Sequence, residues 1–289
     1  MNSAIIVAAV LATGANAATT DSCVLMDFTT MKLEFTALNA MLESLSPSNF
    51  FDFKMGKEND SLILHNIPTK PFIDSSKGFE FRYDTTIDSI QANGLQAFVA
   101  RKILALKPNT VALEIASSTT LKVKASTTTH FQSPNVTSID TVQFSVEKPT
   151  FVAEIDIDMF ACAPEVSAVD CSNLTVEEIQ TKLDKATTVQ HFASLMKAIL
   201  MRFQSAKVKD LTFDFESVSD YSEASESSNA RVNAAVEGVS KLSANEINED
   251  EEASSNFVAM LRFYSPTVFN AMIAKTFEPM FGATCLLET

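Results

Sequence analysis

Between Leu62 and Ala161 apolar residues return at every second position, interrupted only by short polar clusters. A period of two places successive side chains on opposite faces of a strand, so this part of the chain can bury its apolar residues only as sheet. The runs are Leu62 to Ile67, Phe79 to Ala92, Phe98 to Leu106, Val111 to Ala116, Leu121 to Phe131, Val142 to Val146 and Phe151 to Ala161. Ser, Thr, Asn and Pro separate them at short intervals, which favours antiparallel hairpins or a meander over helical crossovers.

Outside this block the period changes. Phe28, Met31, Phe35, Leu38, Leu42 and Leu45 recur in steps of three and four, one face of a helix ended by Ser46-Pro47. Thr175 to Glu178 forms a capping box, and two helical stripes follow (Val176 to Ala186, Val189 to Phe203), out of phase near Thr187. Alternation resumes at Leu211, Phe213 and Phe215. The segment ARVNAAVEGVSKL then fits either helix or strand, and the acidic stretch around residues 245–255, with NEDEE at Asn248 to Glu252, is expected to be a solvated loop. Phe257 to Tyr264 reads as a buried strand, with Ser265-Pro266 as N-cap and first residue of a closing helix. The fold class expected is α+β: an extended, curled antiparallel sheet with long helices packed on one face, forming a single domain over residues 18–289.

Residues 1–17 read as a secretory signal peptide. A short apolar run ends in Ala15-Asn16-Ala17, the small-x-small pattern of a cleavage site, and the run is far shorter than the roughly 20 residues of a membrane span. No later transmembrane segment is expected, so the mature chain is expected to be secreted. Sequons at Asn59, Asn135 and Asn173 agree with that compartment and make the chain a candidate glycoprotein. Its four cysteines suit disulfides. Cys162 and Cys171 flank one short loop and are natural partners, which would leave Cys23 and Cys285 to tie the chain ends, though three pairings exist.

The net charge of −14 argues against nucleic acid as partner and against plain attachment to anionic membranes. Chemistry is sparse. The glycines are isolated, so no loop can cradle a phosphate, and neither a G-x-S-x-G elbow nor an H-E-x-x-H helix occurs. Neither cofactor nor metal is expected. His65, on the alternation of Ile63 and Ile67, is expected in the core or a pocket; His130 is expected at the surface and His191 at a boundary.

In FVAEIDIDMF, Glu154, Asp156 and Asp158 stand about 6.5–7 Å apart along one strand face. Parallel carboxylates on a straight strand do not converge on a calcium ion, so they are expected to be the wet side of the sheet. The other side is apolar. Phe79, Phe81, Leu113, Ile115, Val123, Phe144, Phe151, Ile155 and Ile157 supply the sheet, while Phe192 and Met196 supply the helices. Direct packing of these makes a core, whereas a small separation makes a tunnel for a hydrophobic ligand.

The stretch IDSIQANGLQAFVARKILALKPNTVALEIASSTTLKVKA, Ile87 to Ala125, has a strand, a Gly94-Leu95 turn and further alternating strands. With the order of leading helix, long sheet and later helices, it resembles the tubular lipid-binding (TULIP) superfamily, which includes takeout and bactericidal/permeability-increasing proteins. The resemblance implies one module binding a lipid or other hydrophobic small molecule between sheet and helices, without catalysis. The expectation is therefore a secreted binder. The alternatives are an extracellular interaction or structural glycoprotein without a pocket and, second, a secreted hydrolase with a scattered triad.

Overall fold

The structure is a computed structural model that describes residues 25–30, 35–36, 39, 61–74, 81–132, 135–160, 202–227 and 243–281. Its strands are β1 (Ser61–Pro68), β2 (Phe72–Asp74), β3 (Phe81–Asn93), β4 (Phe98–Lys107), β5 (Thr110–Ser117), β6 (Thr120–Phe131), β7 (Val136–Glu147), β8 (Thr150–Met159), β9 (Phe203–Asp214) and β10 (Ser217–Ser227). One sheet runs β1-β3-β6-β7-β10 with β2 also on β3, and a second runs β4-β5-β8-β9. Every pairing is antiparallel.

The two sheets share one order. β3 continues into β4, β5 into β6, β7 into β8 and β9 into β10, so four long ribbons each contribute one strand to each sheet. The ribbons bend along a common line. Gly94 lies on it with φ 89°, and a Cβ there would stand 2.3 Å from the Thr120 carbonyl oxygen, so no other residue fits. Lys148 also has positive φ, 46°. Backbone bonds from Ser117 N to the Pro149 carbonyl (2.9 Å) and from Glu216 N to the Glu147 carbonyl (3.0 Å) stitch the ribbons together at the bend. The curl expected of the sheet is concentrated at this line.

Two helices follow the ribbons: α1 (Ala244–Glu249) and α2 (Glu251–Thr276). They correct the expectation of an acidic loop around residues 245–255. Ser243 and Glu246 form a reciprocal capping box, and the Asp250 side chain accepts from Ala253 N at 2.8 Å. The acidic residues are exposed, as a solvated segment requires, but Glu246, Asp250, Glu251 and Glu252 stand at helix N-termini, which favour negative charge. Phe257 to Tyr264 is likewise helix and not strand. Ala253, Phe257 and Leu261 recur every four residues and form the buried stripe of α2, while Pro266 lies inside the helix and leaves the Arg262 carbonyl without its helical donor. Among the described residues, Glu251–Met280 is the one helix long and apolar enough to cross a membrane. This is a statement of length and composition, and α2 lays its stripe on the sheet.

The main core lies between the bend and α2, where Phe98, Leu121, Phe144, Phe151, Leu211 and Phe213 meet Phe257 and Leu261. A second cluster joins Leu64 and Ile67 of β1 to Ile87 of β3 and Met272 of α2. The N-terminal segment crosses the β4–β5 turn, with Phe28 N donating to the Pro108 carbonyl at 2.8 Å and the Phe28 and Phe35 rings 6.3 Å apart. Of the expected leading helix, Phe28–Thr30 is a 3-10 turn and residues 35, 36 and 39 are helical.

Candidate functional site

The helix-facing side of the sheet is the candidate site, and its two halves differ in chemistry. Around the bend it is a set of packed rings. Phe151 lies 4.6 Å from Phe213, 5.1 Å from Phe98 and 6.0 Å from Phe269, centroid to centroid. Phe257 of α2 meets Phe144 at 5.4 Å and Phe215 at 5.7 Å, both edge to face. The expected ligand-facing residues Val123, Phe144 and Phe151 belong to this core, with Ile115 and Ile155 packed against it. Register places Leu113 opposite Ala153 and Ile157 opposite Ala206, so both continue the same face and are buried. Phe81 opens β3 opposite Asp74. Phe79, Phe192 and Met196 lie outside the described residues.

Toward the far end of the first sheet the same face turns polar. β10 presents Tyr221, Glu223 and Ser225, β7 presents Val142, Asp140 and Ser138, β6 presents Thr127 and Thr129, and β3 presents Ile87 and Thr85, in mutual register. Tyr221 shows which side this is, because its ring lies 6.0 Å from Phe257 of α2. Ser138, Thr85 and Thr129 are buried. The Thr85 and Thr129 hydroxyls are 3.1 Å apart, Ser138 Oγ donates to Asp140 Oδ1 at 2.9 Å, and Ser138 and Ser225 hydroxyls lie 3.1 Å apart. Tyr221 donates to Glu223 Oε2 at 3.1 Å.

Burial pushes the Glu223 carboxyl above the usual carboxylate range, and the charge of Asp140 adds to this against the hydrogen bond from Tyr221. The Tyr221 phenol is raised by burial and by the Glu223 charge. Burial also raises Tyr264 of α2, which hydrogen-bonds Thr85 and feels Asp140. Period-two reasoning missed this group, because polar residues on a strand are read as its solvent side.

The carboxylates of FVAEIDIDMF lie on the opposite face, and Asp156 and Asp158 are tied across strands. Asp156 accepts from Thr110 Oγ1 at 2.8 Å and pairs with Lys209 at 2.5 Å. Asp158 accepts from Ser205 Oγ at 2.8 Å and Asn109 Nδ2 at 3.3 Å. Burial works to raise Asp156, yet the bonds from Lys209 and Thr110 outweigh it and hold the group below its ordinary range. Among the described residues no three His, Cys, Asp or Glu side chains gather as a metal site.

His65 departs from expectation. Asn66 has φ 54°, which shifts the alternation by one, so Leu64 and Ile67 are buried while Ile63 and His65 are exposed. His130 is exposed, its Nδ1 3.3 Å from Thr137 Oγ1. Asn135 is exposed in the turn between β6 and β7, while Asn59, Asn173, His191, Cys23, Cys162, Cys171 and Cys285 lie outside the described residues.

The chain matches no protein-family model and no curated protein. Among solved structures it bears a weak resemblance to the crystal structure of Takeout 1 from Epiphyas postvittana, at 12% sequence identity and TM-score 0.35, covering 86% of this chain and 88% of that one.

Proposed function

We propose that the chain is a secreted, non-catalytic binder that holds a lipid or other hydrophobic small molecule between sheet and helices. The observation that carries this is the way α2 lies on the sheet. It is anchored near its start by Phe257 and Leu261 and near its end by Met272, while every residue from Tyr264 to Ala271 is only half-buried. Between those anchors Val268 and Phe269 pack against the cores yet remain half-exposed, so they are apolar side chains that gain if a ligand removes them from water. The exposed sequon at Asn135 supports the compartment. The alternative, an extracellular interaction protein whose interior is only core, draws its support from the packed rings around Phe151.

The test is to express the full chain through a secretory pathway, purify it and extract it for mass spectrometry of bound lipid. The reading expects lipid in reproducible stoichiometry. A protein that emerges empty, and takes up no radiolabelled or fluorescent lipid offered to it, is not a binder.

A further inference from the structure

If the interior holds a ligand, as proposed above, the polar half of the first sheet determines what the ligand's polar end can be. The inner face carries two carboxyl side chains, Asp140 and Glu223, both half-buried. The buried hydroxyls of Thr85, Thr129 and Ser138 stand on the same face, where Tyr264 of α2 bonds Thr85. No described cation stands on that face. Every described Lys and His, and every described Arg except one, is exposed at the surface. The exception, Arg202, directly precedes β9 beside Phe160 and Phe203, at the opposite end of the second sheet from Ser225 and Glu223. A head group seated among Asp140, Glu223 and the hydroxyls therefore meets acceptors, rotatable hydroxyls and negative potential, with nothing described to neutralise a second anion. Toward the bend the same face becomes Val142, Val123, Phe144 and Tyr221, a wall suited to an alkyl chain or ring system.

We propose that this face selects amphiphiles whose polar end donates hydrogen bonds and carries no negative charge, and discriminates against fatty-acid carboxylates. Glu223 and Asp140 accept from the head group, and Ser225 and Thr129 complete its shell. Specificity of this kind comes mainly from rejecting the wrong charge.

Hexadecanol and hexadecanoate are probes of equal chain length that differ in the head group. Titrated at neutral pH against the intact secreted protein, hexadecanol is expected to bind about tenfold or more tightly than hexadecanoate. Glu223→Lys is expected to narrow or reverse that preference. The near-isosteric Glu223→Gln and Asp140→Asn are expected to improve hexadecanoate binding severalfold, which keeps the test intact if the lysine variant does not fold. Glu114→Gln, on the outer face of β5, is the control and should leave the ratio unchanged. Equal affinity for the two probes, or a preference that survives Glu223→Gln and Asp140→Asn unaltered, overturns the selectivity while leaving a binder. Failure of both probes, together with no lipid recovered on extraction, overturns the binder and the selectivity with it.

Discussion

Gly94 shows how a single residue sets the course of a ribbon. Its φ of 89° and the Thr120 carbonyl 2.3 Å from where a Cβ would stand make the position doubly closed to side chains. Gly94→Ala is expected to lower stability by about 2–4 kcal/mol, combining a strained backbone with displacement of β6, read as a lower denaturant midpoint at unchanged slope. The sequence marks this glycine as a turn, but a turn and a passage from one sheet to another look alike until pairing is known.

Charged residues give a second test at this scale. Thr120 holds Glu147 below its ordinary pKa, Arg262 does the same for Asp210, and Lys209 with Thr110 does so for Asp156. The folded chain then binds these protons less readily than the unfolded chain. Their contribution is complete above the unfolded carboxylate pKa near ~4 and is lost as pH falls through the lowered folded values. Glu223 has the opposite sign, since its folded pKa is raised and its contribution is lost as pH rises through that value. Denaturant midpoints across the acid range should therefore fall steeply for the native chain and less steeply for Asp156→Asn. Glu223→Gln should gain stability at neutral pH. An Asp156→Asn profile parallel to the native one would show that the Lys209 pair contributes nothing.

At the scale of elements, the sheets have outer strands that a second chain could pair with, and asparagines close them. Asn270 of α2 donates to the Val208 carbonyl at 2.9 Å and accepts from Val208 N at 2.8 Å. Asn248 of α1 makes the same pair of bonds with Val218 of β10, both 2.8 Å. Asn39 does so with Ile103 of β4, at 2.9 and 2.8 Å. The carboxamide presents one donor and one acceptor, as a neighbouring strand residue would, and so satisfies the edge while blocking further pairing. Asn270→Ala leaves both groups of buried Val208 unmet, with an expected cost of about 1–3 kcal/mol and loss of hydrogen-exchange protection at the Val208 amide. Asn270→Asp, which keeps the acceptor and loses the donor, should retain that amide's protection better than Asn270→Ala. These clamps join residues far apart in sequence, which is why no local pattern reveals them.

What was legible followed from contrast between faces. β3 to β6 and β8 alternate apolar with polar and match the sequence runs to within a few residues, whereas β7 begins six residues before the run Val142 to Val146; Phe144 and Phe151 are buried in the core. β10 was not legible, because its inner residues are Tyr221, Glu223 and Ser225 and both its faces read as polar. The same lack of contrast concealed the polar half of the candidate site. NEDEE misled for another reason: acidic residues gather equally in solvated loops and at helix N-termini, and only the capping bonds of Ser243 and Asp250 separate the two.

For the whole molecule, the shared strand order of the two sheets has a thermodynamic consequence. Each ribbon belongs to both sheets, so unpairing one sheet pulls on the four ribbon strands of the other, and Phe269 packs against both core clusters. The described halves are thus expected to unfold in one transition. The chain contains its own reporter. It has no Trp and three Tyr. Tyr83 lies on β3, Tyr221 on β10, and Tyr264 faces Thr85 from α2, so tyrosine emission senses the first sheet and the helix on it. Far-ultraviolet circular dichroism senses both sheets. Phe151→Ala empties the ring cluster in the second sheet and should cost about 3–5 kcal/mol. If the ribbons couple the sheets, tyrosine emission must report that loss in full, its midpoint moving as far as the dichroism midpoint and the two curves remaining superimposed. A tyrosine transition that stays in place while the dichroism curve splits would mean that the bend is a boundary between independently folding units and that the shared strand order carries no cooperativity.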